Sequence, residues 1–141
     1  MASEPNVPPI QVHLCVKDGI AAIAFYEKAF GAQHTFCQLA EDRKRVMHSN
    51  LALFGGEIML HDEFPEFGSN VLSPKTVGGA SVAININLPD AADVDAAYDR
   101  AIAAGASTVL EPQDTFWHAR YARIQDPFGH VWAFNAPVAQ S

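Results

Sequence analysis

The chain repeats itself once. Tyr26 and Tyr98 stand 72 residues apart, Gly56 and Gly129 73, and Gly31 and Gly105 74. The last pair closes matching segments, Ala29-Phe30-Gly31-Ala32 and Ala103-Ala104-Gly105-Ala106. Two copies are too few for a solenoid, whose units bury their faces against a run of neighbours. Within 141 residues the duplication points to two halves of one domain. A chain of that size buries roughly two thirds of its unfolded surface and needs no staples.

Each half reads β-α-β-β-β. Val12, Leu14 and Val16 alternate with Gln11, His13 and Cys15, a period-two strand. Asp18 stands at an N-cap, and Ala22, Phe25, Tyr26, Ala29 and Phe30 make a helical stripe ended by Gly31. Strands are expected over 32–39, 45–53 and 57–61, with a polar turn at Glu41-Asp42-Arg43-Lys44 and a hairpin at Gly55-Gly56. The second half offers a strand over 82–88 and a helix capped by Asp90 or Asp93 and striped by Val94, Ala97, Tyr98, Ala101 and Ile102. Strands over 107–111, 118–125 and 130–135 follow, with a loop over 112–116 and a tight turn at Asp126-Pro127-Phe128-Gly129. The expected organisation is a flexible lead-in over 1–8, one α+β domain over 9–137 and a tail over 138–141. The domain divides into a first module over 9–62, a linker or lid over 63–79, and a second module over 80–137.

Charge narrows the partners. The net charge of −7 and pI near 5.2 argue against nucleic acid, which selects a basic face, and against an anionic membrane surface. No apolar run reaches the roughly 18 residues of a membrane span. The start has neither the basic n-region nor the apolar h-region of a secretory signal. A cytoplasmic protein is expected, with Cys15 and Cys37 as free thiols at no redox or zinc spacing.

Taken together, Phe25-Tyr26-Glu27-Lys28-Ala29-Phe30-Gly31-Ala32, Val46-Met47-His48, Ile58-Met59-Leu60, Asp62-Glu63-Phe64-Pro65, Ser73-Pro74 and Asp126-Pro127-Phe128-Gly129-His130-Val131-Trp132 resemble the vicinal-oxygen-chelate superfamily. That superfamily takes in glyoxalases, bleomycin-resistance proteins and extradiol dioxygenases, and the PhnB-like branch is the nearest match. The resemblance covers residues 9–137. It implies two βαβββ modules forming a U-shaped mixed sheet around one cavity, in a homodimer. In metal-using members four strand positions hold the ion. Counted from the capping Asp18 and the turn glycines, these positions read Gln11, Leu60, Ala83 and Ala133 here. One amide oxygen beside three aliphatic side chains would leave a divalent ion nearly uncoordinated. No metal or other cofactor is therefore expected, with Zn, Ni, Mn or Fe as the alternative.

Strand parity then decides what faces the cavity. With Val12, Leu14 and Val16 under the helix, Gln11, His13 and Cys15 face inward, as do His48, Asn50, Asn85 and Asn87. The repeat carries His48 onto Tyr121 and Asn50 onto Arg123. Phe64, Phe67, Phe116 and Trp117 are candidate aromatic walls. The expected ligand-binding set is Gln11, His13, His48, Asn50, Asn85, Asn87, Trp117, Tyr121 and Arg123, with His13 and His48 as candidate catalytic groups. His61 and Asp62 read as a solvated strand end, His130 as a cap on its turn, and Arg120 as an ion-pair partner of Glu111 or Asp114. Three functions stay open. One is a metal-free, antibiotic-sequestering binder of a cationic or amphipathic small molecule. Another is a lyase or isomerase using His13 and His48 as acid/base or off-pattern metal ligands. The last is a dimeric interaction or regulatory protein with a vestigial cavity.

Overall fold

Helix caps and strand pairing build the same unit twice. In the computed structural model, which describes residues 8–138, β1 (Val12–Val16) leads to α1 (Gly19–Phe30), then β2 (Gln33–Leu39), β3 (Val46–Leu53) and β4 (Gly56–Asp62). A connecting segment holds a 3₁₀ turn (Pro65–Phe67) and α2 (Pro74–Val77). The second unit is β5 (Ala83–Asn87), α3 (Ala91–Ala104), β6 (Ser107–Asp114), β7 (Ala119–Gln125) and β8 (Val131–Pro137). The two sheets run β1-β4-β3-β2 and β5-β8-β7-β6, with β1 parallel to β4, β5 parallel to β8, and the other pairs antiparallel. The lead-in and tail expected from sequence lie, except for Pro8 and Val138, outside the described residues.

The caps explain the helix limits. Asp18 accepts from the Ala21 amide, and Gly31 closes α1 in the left-handed region, where a glycine carries no Cβ penalty. Asp90 and Asp93 form a reciprocal capping box on α3. Asp62 corrects the sequence reading. It is buried rather than solvated, because β4 pairs with β1 through Val16–Asp62 and so ends beneath the start of α1. Its carboxylate accepts from the amides of Asp18, Gly19 and Val46 at 2.6–3.0 Å. A Cβ at residue 19 would stand 2.6 Å from Asp62 Oδ2, so only glycine fits there. β6 runs through Pro112 into the expected loop, because pairing with β7 continues at Gln113–Tyr121 and Asp114–Arg120. An edge strand tolerates the missing amide of a proline.

The two units share one hydrophobic core. Leu14 and Val16 join it as expected, whereas Val12, at the strand's first residue, remains 39% exposed. The aromatic face of α1 reaches across to the second unit. Phe30 and Tyr26 lie 4.7 and 5.5 Å from Trp132, centroid to centroid, and α1 packs beside α3. Asp126, in the β7–β8 turn, secures this contact. It accepts from Tyr26 Oη, from Trp132 Nε1 at 2.9 Å, and from the amides of Phe128 and His130. Burial first, then the Asp126 charge, pushes the Tyr26 phenol well above its ordinary value, so it stays a donor. Asp126→Asn is expected to lower unfolding stability by about 1–3 kcal/mol, because an amide nitrogen in place of one oxygen leaves two of the four donors without an acceptor. Urea denaturation reads this directly, and a change under about 0.5 kcal/mol would contradict the role assigned to Asp126.

Candidate ligand-binding site

Each sheet turns one face to the helices and core and leaves the other open. Pleat parity sorts the residues. In the first sheet the rung Val12–Ile58–Leu51 belongs to the core side and His13–Met59–Asn50–Phe36 to the open side. In the second sheet Ile84–Trp132–Ile124 faces the core. Asn85–Ala133–Arg123 and Asn87–Asn135–Tyr121 face away. Eight of the nine expected ligand residues therefore fall on open faces, four on each sheet. Trp117 sits beyond them at the β6–β7 connection, edge-on to Tyr121 at 5.8 Å.

Register also corrects one position. Gly55, not Gly56, adopts the left-handed conformation that Gly129 adopts in the second unit. The repeat offset along this strand is therefore 74, and Ala133 corresponds to Met59. Leu60 points into the core and is fully buried. The four family metal positions thus read Gln11, Met59, Ala83 and Ala133. An amide, a thioether and two methyl groups do not fit a divalent ion that seeks imidazole or carboxylate ligands.

The first open face carries a hydrogen-bonded row. Gln11 Nε2 and Asn50 Nδ2 both donate to Glu57 Oε1, at 2.9 and 2.7 Å. Asn50 Oδ1 then faces His48 Nε2 at 2.9 Å. Because that amide oxygen can only accept, His48 Nε2 carries the proton, and in the neutral ring Nδ1 is left as an acceptor. His13 lies next to this row, with ring centroids 6.2 Å from His48 and 5.8 Å from His61. Burial, then the neighbouring His61 and His48, hold the His13 pKa below its ordinary value. His61 escaped the sequence reading. The parity of 57, 59 and 61 against 13 carries the signal, but a residue at a strand end reads locally as solvated. The three imidazoles do not converge: among the described residues no group of three His, Cys, Asp or Glu side chains is placed to hold a metal ion.

Other candidates are structural. Cys15 is buried, and burial, then Glu63 and Asp62, push its thiol up to about 11, which leaves it protonated and inert at neutral pH. Cys37 is free and exposed on β2. His130 Nε2 lies 2.8 Å from the Cys15 carbonyl, linking β8 to β1 across the repeat rather than only capping its turn. Arg120 pairs with Asp114, as expected, and with Asp95. Phe64 is not an exposed wall but lies buried beneath the Arg45 guanidinium, while Phe67 and Phe116 are exposed.

A cleft of about 260 Å³ lies where the units meet, lined by Val12, Phe54 and Glu57 from the first and Ile84, Asn85 and Asn87 from the second. Of the polar row only Glu57 lines it, beside Asn85 and Asn87 of β5, and the core-side residues Leu53, Ile58, Ile86 and Trp132 complete its lining. Among the described residues, no hydrogen bond joins the two open faces directly.

A duplicated βαβββ unit with a core on one side of each sheet and polar side chains on the other defines a two-module, cavity-bearing class of domain. The chain belongs to the Glyoxalase/Bleomycin resistance protein/Dioxygenase superfamily, whose family model matches residues 9–134. It is 37% identical over 134 residues to the uncharacterized proteins Mb0911c of Mycobacterium bovis and Rv0887c of Mycobacterium tuberculosis, covering 94% of this chain and 86% and 76% of theirs. Among solved structures it shares its fold with TioX from Micromonospora sp. ML1 (TM-score 0.67, 24% identity, 95% of this chain and 99% of that one). It also shares it with the PhnB protein from Bacillus cereus (TM-score 0.69, 14% identity, 92% and 99%).

The histidine cluster makes a pH prediction. A base whose folded pKa lies below its unfolded value takes up its proton later than the unfolded chain does. Its contribution to stability is therefore present above pH of about 6.5 and is lost as pH falls through the folded pKa. In NMR titrations His13 should show a midpoint below 6.5, and His61→Asn should raise that midpoint. An unchanged midpoint in the variant would show that the two rings do not interact.

Proposed function

We propose that this chain is a metal-independent small-molecule-binding protein, acting in the cytoplasm as a homodimer. Superfamily membership supports small-molecule binding as its general business, and members often form dimers. One observation favours the metal-independent form. The row His48–Asn50–Glu57–Gln11 is hydrogen-bonded to itself on an open sheet face, while the family's metal positions hold Gln11, Met59, Ala83 and Ala133. Fixed amide and imidazole groups recognise a ligand by shape and hydrogen bonding and need no ion to do so. Sequestration of an antibiotic is the form such binding takes in the bleomycin-resistance proteins this chain resembles.

A lyase or isomerase is the second reading, favoured by the ring chemistry. His13 is held toward its neutral form, and the His48 tautomer set by Asn50 leaves Nδ1 as an acceptor, so each ring offers a nitrogen lone pair to a substrate proton. Binding alone uses these rings only as hydrogen-bonding partners, whereas an enzyme would lose turnover in His13→Gln and His48→Gln without losing affinity.

The purified protein should carry no stoichiometric metal by mass spectrometry, and its melting temperature should not rise with Zn, Ni, Mn or Fe(II). Anything that binds the folded state raises that temperature by mass action. Near-stoichiometric metal that stabilises the fold would overturn the proposal and direct attention to His13, His48 and His61.

A further inference from the structure

The arginines of this acidic chain are largely committed. Arg45 pairs with Asp42 and Glu66, and Arg120 with Asp95 and Asp114. Arg100 Nε donates to the Lys28 carbonyl. Arg123 differs. It is half-buried on the open face of the second sheet, and no carboxylate among the described residues lies within ion-pair distance of it. Its Nε donates to Tyr121 Oη at 2.7 Å. Both terminal Nη groups lack a protein partner among the described residues, and neither is sealed from solvent. The tyrosine thus fixes one edge of the guanidinium and leaves the other, a two-nitrogen fork, free.

What surrounds the fork suits an oxyanion. On the same rung Ala133 places only a methyl group between Arg123 and Asn85, and its neighbours cover it. The Nδ2 groups of Asn85, on this rung, and of Asn135, on the next, both point to Asn87 Oδ1, at 3.0 and 3.3 Å. That saturates the Asn87 oxygen and leaves its own Nδ2 as an unused donor. Trp117, stacked edge-on between Tyr121 and Phe116 and half-exposed, provides an apolar wall at the end of the row. The nearest acid in the cleft, Glu57, is already occupied by two amide donors.

We propose that the face formed by Arg123, Tyr121, Asn85 and Asn87 binds a small organic anion, a carboxylate or phosphoryl-type group carried on an aromatic or similarly apolar body. The proposal rests on the reading of the open faces as a ligand surface and gives that surface its substrate class. It replaces the cationic ligand suggested by net charge. The −7 total is a property of the whole surface, whereas recognition depends on the charge at the site. A guanidinium with a free two-nitrogen edge matches a carboxylate or phosphonate bidentately, a geometry that lysine does not reproduce.

The test is calorimetric titration of the full-length protein with four probes that share one ring: benzoate, phenylphosphonate, benzamide and benzylamine. Benzoate or phenylphosphonate should bind, and whichever is tighter identifies the oxyanion. Arg123→Gln should weaken that binding roughly tenfold to a hundredfold, as expected for loss of a charge-assisted pair. Arg123→Lys should recover only part of it, and Tyr121→Phe should weaken it by a smaller factor. Arg43→Gln, an exposed arginine in the β2–β3 turn, should leave it unchanged. Circular dichroism of each variant separates lost binding from lost folding. Benzylamine or benzamide binding at least as tightly as the anions, or anion binding indifferent to Arg123, would overturn the anion assignment and leave the ligand surface standing. Failure of all four probes at millimolar concentration would overturn both.

Discussion

Asp126 and Tyr26 come from different repeats, 100 residues apart in the chain, and meet in the interior between α1 and the second sheet. A buried carboxylate is tolerated only where donors surround it. Here a phenol, an indole and two backbone amides do so. Much else depends on this arrangement. It fixes the β7–β8 turn, which sets where β8 begins. It anchors Trp132, against which Phe30 and Tyr26 of the other unit pack. It also holds β8 near β1, where His130 reaches the Cys15 carbonyl. The cleft between the units exists because the units are joined through their cores rather than by pairing β1 with β5.

With the cores joined, polarity divides cleanly. Residues of even parity on β1 and of matching parity on the other strands bury leucine, isoleucine, tryptophan and phenylalanine. The opposite parity carries the histidines, asparagines, Tyr121 and Arg123, with Phe36, Met59 and Ala133 among them. Such groups cost stability if left unpaired in a core, but on an open face they pair laterally. The result is two pre-organised rows, one centred on Glu57 and one on Asn87. A ligand meeting these rows finds side chains already oriented by their neighbours, which lowers the ordering cost of binding.

The duplication, the capping residues and the period-two strands were legible because they are local signals. Gly31 and Gly105 mark helix ends, alternation puts Asn85 on the open face, and the repeat carries Asn50 onto Arg123. What escaped was set by pairing between distant strands. Leu60 falls on the open face when the turn is counted from Gly56. Only the conformation of Gly55 shows that the strand is shifted by one, and a shift of one reverses every side chain. Asp62 and His61 read as surface because their partners, Gly19 and His13, lie more than forty residues earlier. Pro112 read as a break because the continuing ladder with β7 is invisible locally.

On the proposed function, the open faces bind an organic ligand through their own side chains, without an ion. Side-chain NMR of the Asn85 and Asn87 amides, the Arg123 Nε–H and the His48 ring, followed during a phenylphosphonate titration in EDTA, tests it most directly. The account predicts shifts concentrated on the Arg123 and asparagine resonances while the chelator is present. Shifts that appear only after a divalent metal is restored, or that fall elsewhere on the protein, would contradict it.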